Sequence, residues 1–301
     1  MILLTHPACA GHHVPEGHPE RPERLAAVLD ALEGLDLDRR EAPPASDDDL
    51  LRVHPRAYLD ALAEAAPERG AAPLDPDTWL SPGSLEAARR AAGGACAALD
   101  AAIAGEGPAF VATRPPGHHA EPERAMGFCL FSNAAIAARR AMEVHGLERV
   151  AVCDFDVHHG NGTQAALWDE PRARFVSSHQ WPLYPGTGAP EERGAMGQIR
   201  NLPLRPGADG ATFARAWDEA LRWLDGWAPE VVIVSAGFDA HADDPLGGLR
   251  LREEDFAAIT RRLRALAERH AGGRVVSLLE GGYDLAALGR SARAHAEALA
   301  A

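Results

Sequence analysis

The chain has 301 residues, of which 46% are hydrophobic, and its 30 Lys and Arg against 44 Asp and Glu give a net charge of −14. This length and apolar content allow one sizeable α/β domain or two smaller ones, and we expect a single domain over residues 1–301. The basic residues are scattered, which argues against a nucleic-acid partner, whereas an acidic protein suits a cationic substrate.

Short β-branched runs alternate along the chain with Ala-, Leu- and Arg-rich stretches of helical period. The predicted strands are 2–4, 109–113, 149–157, 174–178, 231–237 and 274–282. The predicted helices are 22–33, 56–66, 84–104, 132–145, 210–225, 252–270 and 285–300. Strands that alternate with helices pair in parallel and are covered on both faces, which predicts an α/β fold. The segment 67–83, rich in Pro, Gly and Asp, is predicted as a surface loop.

The four cysteines have no Cys-x-x-Cys spacing and are too few for a disulfide framework. They indicate a reducing compartment and argue against a cysteine-ligated zinc site. No stretch approaches the roughly 18 apolar residues of a membrane span. The N-terminal run MILLTHPACAG also lacks the basic and long apolar regions of a signal peptide, so we expect a cytoplasmic protein with no membrane partner.

Four polar motifs each follow a predicted strand. They are RPPGHHA (114–120), DFDVHHGNGT (154–163), SAGFDAHADDPLGG (235–248) and LEGGYD (279–284). In open parallel sheets, ligands bind beyond the carboxyl ends of the strands. The four motifs are therefore expected to meet at one site.

The second of these motifs carries the residue types of a metal site. Asp156 and His158 are two residues apart, so in a strand their side chains can reach toward one point, and His159 faces away. A carboxylate and an imidazole are two of the ligands that a catalytic zinc takes. By ligand type alone, Mn²⁺ or Fe²⁺ would fit as well.

A third ligand must come from elsewhere, and the loop after strand 231–237 offers three aspartates. Asp244, next to Pro245, is favoured because nearby glycines allow a tight loop. Asp239 and Asp243 compete with it, and each of these aspartates could instead cap a turn.

Paired histidines follow the stiff Arg-Pro-Pro-Gly turn. His118 and His119 suit proton exchange near neutral pH. Imidazole bases need a partner on the second ring nitrogen, and Asp154 and Asn161 are available for that purpose. A histidine pair in a loop can also be a mere surface feature, as we expect for the pair at 12–13.

Three aromatic residues belong to the same set of candidates. Tyr283 closes LEGGY, where two glycines leave the backbone bare, which suits a donor to an oxyanion. It could instead pack at the sheet edge. Phe128 and Tyr184 could wall a narrow apolar slot or belong to the core.

Six ordered motifs together resemble the zinc-dependent histone deacetylase family. They are RPPGHHA, GFCLFSNAAIA, CDFDVHHGNGT, YPGTG, SAGFDAHADDPLGG and LEGGYD, and the resemblance starts at HPERPERL near the N-terminus. It is closest to the class II and bacterial amidohydrolase branch, because Asn161 stands where class I enzymes tend to have aspartate. The resemblance implies the arginase–deacetylase fold, with a mainly parallel eight-stranded sheet flanked by helices.

The resemblance also implies which metal ions the protein binds. One Zn²⁺ per chain would be held by Asp156, His158 and Asp244, since the third ligand of the family is the aspartate immediately before proline. Structural K⁺ or Na⁺ would bind main-chain oxygens nearby, with Asp154 and Ser177 assisting.

Catalytic roles follow from the same resemblance. His118 would pair with Asp154 and His119 with Asn161, and His119 would be the general base. Tyr283 would donate a hydrogen bond to the substrate carbonyl.

The family's substrate contacts carry over in the same way. Phe128 and Tyr184 would flank an acyl-lysine-like chain, and the carbonyl of Gly127 would accept its amide N–H. Arg24 would steady the glycine loop at 281–282, and Asp77 is a candidate at the rim.

The activity implied is hydrolysis of acetyl-lysine or a similar N-acylated amine through metal-bound water, with N-acetylpolyamines or other small acyl amides as alternative substrates. Two other interpretations are an arginase-like hydrolase with two manganese ions and a silent acyl-lysine binding module. The first needs further bridging carboxylates, and the complete set of ligands, histidines and tyrosine argues against the second. The oligomeric state stays open.

Overall fold

The computed structural model describes all 301 residues. The strands are β1 (Ile2–Thr5), β2 (Asp38–Glu41), β3 (Ala72–Pro73), β4 (Trp79–Leu80), β5 (Ala109–Val111), β6 (Val150–Asp154), β7 (Ala173–Gln180), β8 (Ile199–Leu204), β9 (Val231–Ala236) and β10 (Val275–Leu279). The helices are α1 (Glu23–Ala31), α2 (Asp47–Leu50), α3 (Arg56–Ala65), α4 (Ser84–Ile103), α5 (Asn133–Glu143), α6 (Asn161–Ala166), α7 (Gly210–Asp225), α8 (Glu253–His270) and α9 (Leu285–Ala300), with a 3₁₀ helix at Pro7–Gly11.

An eight-stranded sheet in the order β2-β1-β5-β10-β9-β6-β7-β8 forms the centre of the fold. All of its pairings are parallel. Its central strands are continuous apolar runs, such as Val231–Ala236, because helices cover both faces and no face meets water. One core contains residues of α1, α7, α8 and α9, and the core on the other face contains residues of α4 and α5. The predicted α/β fold with an eight-stranded sheet is confirmed.

The sheet order explains why the polar motifs meet. The strands that precede them are β5, β6, β9 and β10, and these are the four central strands of the sheet. Because all four are parallel, their carboxyl ends lie at the same edge. The four loops therefore open into one region, as the motif positions predicted.

The sequence pattern did not predict the two strands at the edges of the sheet, β2 and β8. β2 has the sequence DRRE and is largely exposed, and β8 has the sequence IRNLPL, in which buried and half-buried residues are mixed. Neither was predicted, because polar edge strands lack the apolar runs of central strands. The prediction of a plain loop over 67–83 is wrong in part, since β3 and β4 form a small antiparallel hairpin there.

None of the nine α-helices combines the length and the apolar character that crossing a membrane requires.

Candidate active site

The metal-ligand motif lies just beyond strand β6 and not within it. β6 ends at Asp154, so the prediction that Asp156 and His158 alternate along a strand is wrong. They converge because the chain turns: His158 Nδ1 lies 3.1 Å from Asp156 Oδ1. His159 does face elsewhere, with its ring nitrogens 2.8 Å from Thr187 Oγ1 and 3.0 Å from Gln164 Oε1.

A second aspartate joins this pair, and it is not the favoured one. Potential ligand atoms of Asp156, His158 and Asp239 all lie within 4.8 Å of one another. Asp239 Oδ2 is 3.1 Å from His158 Nδ1, and its Oδ1 accepts the N–H of Val157 at 2.8 Å. The structure thus restores Asp239 as a candidate that the family resemblance had set aside.

Asp244 lies beside this cluster and outside its tightest group. Its Oδ2 accepts the backbone N–H of Tyr283 at 2.7 Å, and its Oδ1 accepts that of Leu246 at 2.9 Å. Burial raises the pKa of Asp244, and burial together with the charge of Asp156 raises the pKa of Asp239 to about 7. Such crowding of buried carboxylates around an imidazole is unfavourable without a cation, so the donor set fits a divalent metal ion.

The paired histidines have opposite charge preferences. His118 Nδ1 lies 2.9 Å from Asp154 Oδ2, and His119 Nδ1 lies 2.8 Å from Asn161 Oδ1. Burial opposes charge on His118, but the carboxylates of Asp156 and Asp154 outweigh it and raise its pKa well above the usual range. Burial, then the nearby His118 and His158, lower the pKa of His119 well below that range. Environments that separate two pKa values in this way assign different roles to the two groups.

Tyr283 is the third polar group at the floor of the site. Burial raises the pKa of its phenol well above the usual range, so the hydroxyl stays a hydrogen-bond donor. The guanidinium of Arg24 lies over its ring, 4.8 Å from the centroid. Arg24 also donates to the carbonyl oxygens of Gly282 at 2.6 Å and Glu280 at 2.5 Å. Arg24 thus contacts both the glycine loop and the phenol that the loop presents.

His119, His158 and Tyr283 face a cavity of about 240 Å³. Its lining residues are Asp77, His119, Gly127, Phe128, His158, Leu183, Tyr184, Leu246 and Tyr283. Leu183 and Leu246 were not predicted, although their positions beside Tyr184 and Pro245 in the motifs could have indicated them.

Two aromatic side chains line this cavity, each against a different polar residue. The Phe128 ring meets the Tyr283 ring edge to face at 5.8 Å, and the Tyr184 ring meets the His119 ring at 5.1 Å. Gly127 has φ +55°, and a Cβ there would overlap the His119 imidazole. Only glycine therefore lets this segment approach the histidine.

Other predicted residues occupy supporting positions. Asp154 is fully buried, and its register partner in β7 is Ser177. Burial raises the pKa of Asp77, and its backbone carbonyl lies 2.9 Å from His18 Nε2. The prediction that the pair at 12–13 is a surface feature is wrong for His12, which is buried against Ser84 Oγ at 2.7 Å.

Sequence reasoning missed the buried carboxylate of Glu280. Its Oε2 accepts the backbone N–H groups of Gly117 and His118 at 2.7 and 3.1 Å, and its Oε1 accepts from Ser235 Oγ at 3.0 Å. Burial raises the pKa of Glu280 to about 7. The only sequence signal was an acidic residue inside an otherwise apolar strand end.

The parallel eight-stranded sheet, with its site in the loops after the central strands, has the arginase–deacetylase fold. A family model described as the histone deacetylase domain matches residues 18–299. The chain belongs to the histone deacetylase family.

Individual relatives agree with this assignment. The histone deacetylase-like amidohydrolase of Pseudomonas aeruginosa is 46% identical over 92% of this chain and 74% of its own length. A probable deacetylase of Archaeoglobus fulgidus is 39% identical over 94% of this chain and 81% of its own length. The crystal structure of the HDA15 HD domain superposes with a TM-score of 0.93 at 32% identity, covering 100% of this chain and 91% of that one.

Proposed function

We propose that this protein is a zinc-dependent deacetylase that hydrolyses the amide of acetyl-lysine or of a similar N-acylated primary amine. The observation that carries the proposal is the single cavity that His119, His158 and Tyr283 line together. A base with a lowered pKa, a metal-ligand cluster and a protonated phenol are the three groups that amide hydrolysis needs. Membership of the histone deacetylase family supports the same activity.

We assign the metal to Asp156, His158 and Asp244. Asp244 is preferred to Asp239 because it immediately precedes Pro245, as the third ligand of the family does, and is 7% exposed, whereas Asp239 is fully buried. Asp239 then holds the turn between the two ligands Asp156 and His158, because its Oδ1 accepts the backbone N–H of Val157. When bound there, a zinc ion polarises a carbonyl and lowers the pKa of water.

The protein groups supply the proton transfers. His119, neutral because its pKa is lowered, takes the proton of the attacking water and later delivers it to the departing amine. His118 stays charged beside Asp154 and adds positive potential near the developing oxyanion. Tyr283 donates its hydroxyl hydrogen to that oxyanion.

The residues that line the cavity support the proposed substrate class. Phe128 and Tyr184 would flank an unbranched alkyl chain, and the carbonyl of Gly127 would accept the amide N–H. Asp77 at the rim would hold a substrate backbone or ammonium group. A monovalent ion beside Asp154 and Ser177 would stabilise the loop that carries the metal ligands.

Turnover of acyl amides by the purified, zinc-loaded protein tests this function. We expect chelation to abolish cleavage of an acetyl-lysine peptide and zinc to restore it. N-acetylpolyamines and small acyl amides, compared by kcat/KM, identify the preferred amine. Failure to cleave any of these amides would refute the proposal, and two metal ions per chain would instead favour an arginase-like hydrolase.

A further inference from the structure

Two hydrogen bonds in series connect the base His119 to a carboxylate outside the cavity. His119 Nδ1 lies 2.8 Å from Asn161 Oδ1, and Asn161 Nδ2 donates to Glu121 Oε1 at 2.8 Å. Asn161 is 5% exposed, so its amide has little access to water. The other contacts of Nδ2 are weaker, to Met126 Sδ at 3.3 Å and the carbonyl of His119 at 3.4 Å.

The orientation of the Asn161 amide decides which nitrogen of His119 can act as the base. With Oδ1 toward the ring, the amide accepts Nδ1–H and leaves Nε2 free to accept a proton. With the amide turned over, an N–H would face Nδ1 and favour the other tautomer. A carboxylate accepts hydrogen bonds only, so Glu121 selects the productive orientation.

The backbone of Asn161 is already fixed, but its amide is not. The N–H groups of Gly162 and Thr163 both donate to the carbonyl of His118, at 3.0 and 3.2 Å. These bonds hold the start of α6 against the histidine loop. They do not prevent rotation of the amide about its last torsion, against which the bond to Glu121 is the shortest restraint.

Glu121 is itself held in place. Its backbone N–H donates to Arg124 O at 2.9 Å, and Arg124 N–H donates back to Glu121 O at 3.2 Å. Its carboxylate has no side-chain partner other than Asn161. Beyond it lies an open depression that Trp168 also lines, so water reaches the carboxylate from that side.

We propose that Glu121 is a positioning residue that acts on His119 through the Asn161 amide. This inference rests on the proposed function, because it assigns a partner to the proposed base. Glu121→Ala should lower kcat about tenfold, the lower end of the usual cost of losing an orienting partner, with little change in KM. Glu121→Gln keeps an acceptor and should retain more of the activity.

The matched control is Glu123→Gln. Glu123 lies two residues away in the same loop, is exposed and makes no side-chain hydrogen bond or ion pair. The Glu123→Gln substitution should leave kcat unchanged. Equal losses in the Glu121→Ala and Glu123→Gln proteins would contradict a specific role for Glu121.

A second variant, Asn161→Asp, distinguishes a positioning role of Glu121 from a merely structural one. In Asn161→Asp, a carboxylate accepts the His119 N–H directly and faces Glu121 as a like charge. Glu121→Gln should then raise kcat in the Asn161→Asp protein, although it lowers kcat in the natural one. A structural role would lower kcat in both, and that result would overturn the proposal.

A spectroscopic measurement does not depend on turnover. The chain has only three asparagines, Asn133, Asn161 and Asn201, so ¹⁵N-asparagine labelling gives three side-chain amide signals. The Asn161 amide protons should shift in Glu121→Ala and not in Glu123→Gln. An unshifted Asn161 signal in Glu121→Ala refutes the contact between Asn161 and Glu121, even if the enzyme is active. If the natural protein is inactive but the expected shift is seen, only the deacetylase function is refuted.

Discussion

The carboxylate of Glu280, just beyond β10, accepts the backbone N–H of His118 at 3.1 Å. This bond joins two loops that are 162 residues apart in sequence. It fixes the main chain that carries both histidines, because the same oxygen also accepts the N–H of Gly117 at 2.7 Å. The site therefore depends on a buried acidic group that touches neither cavity nor metal cluster.

Removing this carboxylate should destabilise the protein. Glu280→Ala leaves two buried N–H groups and the Ser235 hydroxyl without their acceptor, at a cost of about 3 kcal/mol in the free energy of unfolding. Glu280→Gln should cost much less, because its amide oxygen can accept both N–H groups while its NH₂ donates to the Ser235 hydroxyl oxygen. Denaturant unfolding measures both, and equal stability of the alanine and natural proteins would contradict the account.

Loss of the Tyr283 hydroxyl should affect catalysis and not metal binding. Tyr283→Phe removes the proposed donor to the oxyanion, so kcat should fall on the order of 10²–10³ with KM little changed. Steady-state kinetics and metal analysis check this pair of expectations. Full activity with the metal retained would rule out the role of Tyr283.

Metal content distinguishes the two aspartates beside His158. Asp244→Ala should lose bound zinc, because it removes a proposed ligand. Asp239→Asn should still bind zinc, with affinity lowered about 10–100-fold, because it alters only the carboxylate that holds the turn between Asp156 and His158. Zinc titration against a competing chelator gives both affinities, and the reverse ranking would make Asp239 the ligand.

Buried neutral histidines should make the fold sensitive to acid. Burial lowers the pKa of His54 to about 4, and its Nε2 accepts the N–H of Ser132 at 2.9 Å. Because the folded pKa lies below the unfolded value of about 6.5, this contribution is complete above pH 6.5 and is lost as pH falls toward 4. The loss in the free energy of unfolding is on the order of 3 kcal/mol.

His54→Gln should therefore be less stable near neutral pH and show a flatter dependence of stability on pH. Unfolding free energies measured between pH 4 and 7 test this expectation. His13→Gln is the control, because His13 is exposed. Identical slopes for the His54→Gln and natural proteins would show that His54 does not titrate in this range.

Much of the fold could be predicted because its central strands are buried on both faces. A strand such as Val231–Ala236 must be continuously apolar, and this pattern is visible in the sequence. The edge strand Asp38–Glu41 has no such constraint, since water covers much of it. Its pairing with β1 arises only when the chain has folded.

The residue types of the site were also visible in the sequence. Asp156, His158, His118, His119 and Tyr283 stand in motifs that follow strands, and parallel strands bring their ends together. The contacts among them were less predictable. The turn after Asp154, not strand alternation, sets the direction of His158 and His159.

By itself, the sequence determined the chemistry available to this protein and the family to which it belongs, because side-chain types and strand-end positions are local properties. Only the tertiary structure decided which groups meet. Asp239 and Asp244 lie in one loop, and packing alone places Asp239 against His158. Glu121 reaches Asn161 across 40 residues because the loops after β5 and β6 pack together, a contact that depends on the whole sheet.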